Sequence, residues 1–192
     1  MAPSNDEENY SEAIQYFRKA AEWGHAEEQC LLGFCFEFGA GVSQDCEQAV
    51  YWYRKAAEQD HAEAQYLLGF CFQVGFGVPQ DTAQAVYWYR KAAEQGHRNA
   101  QAELGAYYYS VPQDYEQAVL WFYKAAKQGC ACSQKYLGDC YFDGKWVTKN
   151  RDLALYYYEQ ALINKSDISE NNIKDAEAKV KELKGAGESS LF

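Results

Sequence analysis

Apolar residues along this chain recur with the spacing of one helix face. Ala49, Trp52, Tyr53, Ala56 and Ala57 fall at i, i+3, i+4, i+7 and i+8, a continuous helical stripe. The same stripe is written at Ala13/Tyr16/Phe17/Ala20/Ala21, Ala85/Trp88/Tyr89/Ala92/Ala93 and Ala118/Trp121/Phe122/Ala125/Ala126. Three of these helices open with Asp and a Gln three residues on, at Asp45/Gln48, Asp81/Gln84 and Asp114/Gln117, the residues of a capping box. They close at Gly24, Gly96 and Gly129, where a left-handed residue is wanted, and once at Asp60. A second pattern precedes each of the later stripes: Leu32/Gly33/Phe36, Leu68/Gly69/Phe72, Leu104/Gly105/Tyr108 and Leu137/Gly138/Tyr141. It predicts a first helix whose glycine lets an aromatic ring of the second helix pack against backbone. Gly39-Ala-Gly-Val42 and Gly75-Phe-Gly-Val78 lie between the two helices and supply a turn with positive φ.

The two patterns repeat together. Val50 to Gln59 recurs letter for letter as Val86 to Gln95, and Leu31 to Phe36 as Leu67 to Phe72. A fixed period of this length is the mark of a repeat array, in which each unit buries its apolar face against its neighbour. The expected layout is an acidic lead with an unpaired second helix over residues 1–25. Four repeats follow, at about 26–61, 62–97, 98–130 and 131–166. Ile173, Ala176, Val180 and Leu183 then form a stripe that reads as a capping helix over 167–184, with a frayed tail at 185–192.

The order Ala, Leu-Gly, aromatic, Gly-x-Gly-Val, Asp, Ala, Trp-Tyr, Lys-Ala-Ala, Gly resembles the Sel-1-like repeat family, relatives of the tetratricopeptide repeats. Ala64, Leu68, Gly69, Phe72, Gly75, Gly77, Val78, Asp81, Ala85, Trp88, Tyr89, Lys91, Ala92, Ala93 and Gly96 carry it throughout. Glu28 and Ser133 depart from it at positions the family gives to Ala. The third repeat passes from Tyr109 to Val111-Pro112 without the Gly-x-Gly turn, and the fourth has Asp143-Gly-Lys-Trp146 there. The resemblance implies an all-α fold: a right-handed α/α superhelix (solenoid) of helix–turn–helix repeats with a C-terminal capping helix. It also implies a protein–protein interaction scaffold or adaptor that receives a partner segment on its concave face. Some cysteine-rich relatives are reported as penicillin-binding or β-lactamase proteins, which makes an enzyme of that type the alternative.

Composition fits the repeat. The chain holds 32 aromatic residues and 27 alanines but only 25 Leu, Ile and Val, so its core sets very large side chains against very small ones. Such a mixture suits close helix packing rather than sheets. The net charge of −10 is unevenly placed. Residues 1–116 hold seven basic and eighteen acidic side chains, and residues 117–192 eleven and ten. An acidic N-terminal half argues against nucleic acid and anionic membrane as partners. No apolar run is long enough to span a membrane, and the polar start, with no secretory signal, leads us to expect a cytoplasmic protein.

Chemistry-bearing residues do not converge in sequence. His25, His61 and His97 recur once per repeat, a spacing that distributes them along the array and favours a structural role over a metal site. Cys35 and Cys71 read as small packing residues. Cys130, Cys132 and Cys140 form the one cluster worth a metal or redox test, again with packing as the stronger reading. Gly138 to Lys145 misses a phosphate loop by one residue and by Trp146 in place of Ser or Thr. We therefore expect no catalytic residue, no metal and no cofactor. The candidate partner face is the part of the first helices that misses the core stripe: Glu27, Phe34, Glu37, Phe38, Glu63, Tyr66, Phe70, Gln73 and Tyr109. Aromatics among carboxylates suit a peptide or helix with apolar anchors and Lys or Arg between them. Packing against the next repeat is an equal reading for Phe34 and Phe70.

Overall fold

The computed structural model describes residues 5–110 and 114–188, with side chains from Ile14 onward except those of 166 and 186–188. The lead at 1–4, the Val111-Pro112 turn and residues 189–192 of the expected tail lie outside the described residues. Every element described is helical. The order is α1 (Asn5–Glu22), α2 (Ala26–Phe38), α3 (Cys46–Ala57), α4 (Ala62–Val74), α5 (Thr82–Glu94), α6 (Arg98–Ser110), α7 (Tyr115–Lys127), α8 (Ala131–Asp143), α9 (Arg151–Ile163), a 3₁₀ turn at Lys165–Asp167, and α10 (Glu170–Glu188). The chain divides into two compact units, Met1–His97 and Arg98–Phe192.

Within each unit the repeat is a pair of antiparallel helices, α2 with α3 and α4 with α5 in the first, α6 with α7 and α8 with α9 in the second. The stripe residues are the core. Ala49, Tyr53 and Ala56 are wholly buried, as are Ala118, Ala125, Ala154, Tyr158 and Ala161. The first-helix glycines do what their sequence position suggests. A Cβ placed on Gly33 would lie 2.7 Å from the Tyr53 ring, and the same distance separates Gly69 from Tyr89 and Gly138 from Tyr158.

Helix ends follow their residues with one exception. Asp45 Oδ1 accepts from the amides of Glu47 and Gln48, and Asp81 Oδ1 from that of Gln84. Asp114 makes no such bond: its backbone (φ −131°, ψ 40°) departs from the extended form that aims the carboxylate at the helix. Gly24, Gly96 and Gly129 are left-handed at φ 95°, 94° and 81°, and Asp60 takes the same slot at φ 60°. Trp146 stands where the other turns have their second glycine and keeps its left-handed backbone at φ 63°.

The C-terminal segment differs from its expected bounds. Residues 165–167 form the 3₁₀ turn, and α10 runs on to Glu188 where a frayed tail from 185 was expected. Ala176 and Leu183 bury against Ala154 and Tyr158 of α9, with Val180 beside them, so packing sustains the helix through Leu183 and beyond.

Candidate functional site

In the first unit, α2 and α4 set their off-core residues side by side. Burial, helped by the nearby carboxylates of Glu63 and Glu27, pushes the Cys30 thiol up to about 12. Glu27 is on α2 and Glu63 on α4, so two carboxylates from successive first helices lie near one buried sulfur. Burial likewise raises the Cys71 thiol of α4, and Glu37 of α2 adds to the effect. Around these acids the surface is apolar. Phe34 is 49% exposed and Phe38 61%, with ring centroids 4.4 Å apart. On α4, Phe70 is 41% exposed and Val74 52%. Phe34 and Phe70 thus each bury about half of their surface and leave the rest open.

Four candidates on this face, Glu37, Gln73, Tyr66 and Glu63, also have structural partners. The Tyr53 hydroxyl donates to Glu37 Oε2 and the Tyr89 hydroxyl to Gln73 Oε1, which ties both polar residues to buried rings. Tyr66 stacks on His97 at 4.6 Å, and His97 Nε2 lies 2.9 Å from Glu63 Oε2. That hydrogen bond is the main cause holding the Glu63 carboxyl below its usual range. His61 has a different role, accepting from the Ala64 amide at the start of α4.

In the second unit the corresponding positions are polar or covered. Tyr109 is half-buried among Tyr136, Trp146 and Phe122, at ring distances of 5.3, 5.0 and 6.2 Å. Asp139 replaces the exposed phenylalanine and accepts from the Tyr158 hydroxyl and from Lys135, each at 2.8 Å. Cys130 and Cys140 are buried, and burial raises the thiols of Cys132 and Cys140 to about 11 and 12. None of the seven cysteines is in a disulfide.

Sequence reasoning passed over Leu31, which is 42% exposed. Its signal was available, because Leu31, Phe34 and Phe38 fall at i, i+3 and i+7 on the side away from Leu32. It also passed over a glutamine relay. Gln65 is wholly buried, donates to the Ala57 carbonyl at 3.0 Å and accepts from Gln95 at 2.8 Å. Gln29 with Gln59 and Gln134 with Asn164 repeat it.

The Sel1 repeat family model matches residues 6–25, 29–61, 62–97, 98–130 and 133–164. The chain belongs to the Sel1 repeat family. Among solved structures, this Sel1 repeat chain is 41% identical to a protective antigen present in uropathogenic Escherichia coli, over 77% of this chain and 32% of that one, at a TM-score of 0.74. It is 38% identical to a Sel1 repeat protein from Oxalobacter formigenes, over 80% of this chain and 65% of that one, at a TM-score of 0.75. An immunity protein from Pseudomonas aeruginosa is 22% identical over 90% of this chain and 73% of that one, with a TM-score of 0.54, a likeness of fold alone. The chain thus spans about a third of the first of these and just under two thirds of the second. No curated protein matches it. Sel1 repeat proteins are generally protein-interaction scaffolds and typically non-enzymatic, and the penicillin-binding alternative gains no support. Among the described residues, no helix is long and apolar enough to cross a membrane.

Proposed function

We propose that this chain is a protein-interaction module whose partner lies along α2 and α4 of the first unit. The observation that carries the reading is the apolar pair Phe34 and Phe38, open to solvent at 49% and 61%, on a face that also holds Glu27 and Glu63. Exposed aromatics backed by carboxylates suit a segment with apolar anchors and Lys or Arg beside them. Leu31 and Val74 extend the apolar surface. Seven cysteines free of disulfides accord with a reducing compartment such as the cytoplasm.

The test is affinity capture from the native lysate with mass spectrometry, followed by titration of the captured partner. Phe34→Ala combined with Phe70→Ala weakens binding at least about tenfold, as loss of two anchors should, with far-UV helicity unchanged. Equal binding by wild type and double variant removes the partner from this face.

A further inference from the structure

Residues 36 apart occupy matching places in the first unit, and the end of α3 shows what the end of α1 lacks. Gln65 of α4 is wholly buried, and its Nε2 donates to the Ala57 carbonyl at 3.0 Å and to Asp60 Oδ1 at 3.2 Å. Asp60 also lies 3.7 Å from Lys91 Nζ of α5. One carboxylate thus closes the corner between a buried amide and a lysine. At the end of α1 the matching residues are Gln29, Ala21, Lys55 and Gly24. Gln29, 4% exposed, repeats the bond to the Ala21 carbonyl at 2.9 Å. Gly24 takes the same left-handed slot as Asp60 and has no side chain. The carboxylate is missing. Among the described residues, the second amide hydrogen of Gln29 has no acceptor and Lys55 has no ion pair. Lys55 Nζ stands 5.7 Å over the Tyr51 ring instead.

A cavity of about 510 Å³ lies at this place, within the range of small-molecule sites. Gly24, Gln29 and Lys55 border it, and Tyr51 and Trp52 form its aromatic wall. Trp52 is half-buried where the matching Trp88 is 8% exposed, so more of its indole is open. Tyr51 is 48% exposed and meets Trp52 edge-on at 5.0 Å. Glu22 and Glu58 also border the cavity, both exposed. Their matches at the end of α3 are Glu58 and Glu94, and Asp60 reaches Lys91 there all the same. The contacts of Asp60 with Gln65 and Lys91 take nothing from α2, the helix before α3. By the same match, the cavity owes nothing to what precedes α1.

We infer that this cavity binds a small carboxylic acid carrying a flat apolar group, at a site separate from the α2/α4 face. The carboxylate takes the place that Asp60 holds in the next repeat, accepting from Gln29 Nε2 and pairing with Lys55. The apolar group lies against Trp52 and Tyr51. An exposed ion pair alone contributes little, so the ring contact supplies much of the affinity.

The probe is 3-phenylpropionate, titrated to about 10 mM into the full chain and read on the Trp52 indole N–H resonance, which Trp52→Phe assigns. The expected result is a saturable shift, absent with the uncharged 3-phenylpropanamide. Lys55→Gln weakens binding about three- to fivefold, the scale of one exposed ion pair. Gly24→Asp supplies the carboxylate from the chain itself, as Asp60 does. It weakens binding at least about threefold more than Gly24→Asn, which has the same size and backbone demand without the charge. Circular dichroism shows that each variant keeps its fold. A parallel titration with N-acetylglycyl-phenylalanine separates a free acid from the carboxylate at the end of a polypeptide, by which of the two binds more tightly. No saturable shift, an equal response to the amide, or indifference to a folded Lys55→Gln variant overturns the inference. Equal binding by folded Gly24→Asp and Gly24→Asn overturns it too, since Asp60 is then no guide to the site.

Discussion

A glycine on each first helix decides how near the two helices of a repeat come, and its replacement weighs two opposed effects. In Gly69→Ala the helix gains about 1 kcal/mol of intrinsic propensity. The new Cβ would lie 2.7 Å from the Tyr89 ring, which is 2% exposed and whose hydroxyl is bound to Gln73. A ring fixed at both ends cannot retreat, and overpacking costs about 1–3 kcal/mol. The expected net loss is up to about 2 kcal/mol, read as a fall in the urea midpoint. This role was legible in the sequence, because Leu-Gly recurs in register with the aromatic of the following helix. The role of Gln65 was not. A glutamine on a helix reads as a solvent residue, and only the approach of the Ala57 carbonyl and the Gln95 amide makes it a buried one.

Among the elements, α10 is the one whose extent and attachment the repeat pattern did not specify. It is held to α9 by Ala176 and Leu183, and to α8 by an ion pair from Lys135 to Asp175 at 2.8 Å. Lys135, 12% exposed, also pairs with Asp139 at 2.8 Å. Burial lowers its pKa, but the hydrogen bonds to Asp139 and Asp175 outweigh that and raise it to about 12. A raised pKa in the folded state means stability that is complete below the ordinary lysine value and lost as pH climbs through about 12. Lys135→Ala should cost about 1–2 kcal/mol at neutral pH, allowing for the half-exposed Asp175. Faster amide exchange along α10 checks it, and unchanged exchange there assigns the attachment to the apolar contacts alone. The helix itself was visible from its stripe at Ile173, Ala176, Val180 and Leu183. Its length was not, since the residues beyond Leu183 carry no apolar period.

At the scale of the whole molecule, four buried or half-buried thiols report on the integrity of the two units. Burial raises Cys30 and Cys71 in the first unit to about 12, and Cys132 and Cys140 in the second to about 11 and 12. Thiolate is the reactive form, so alkylation by iodoacetamide at pH 8 should be at least about a hundredfold slower in the folded chain than in urea. Following the four sites by mass spectrometry across a urea series gives the opening of each unit separately. Rapid labelling of all four in buffer contradicts the burial described. The repeat, its period, its helix ends and its family were determined by the sequence itself, because identical local rules written several times leave one consistent reading. Which off-core residues stay open was decided only by tertiary structure. Phe34 and Tyr109 are both off-core aromatics of first helices, yet one is half open to solvent and the other is walled by Tyr136 and Trp146. The physical reason is that exposure depends on what neighbouring helices bring to a position.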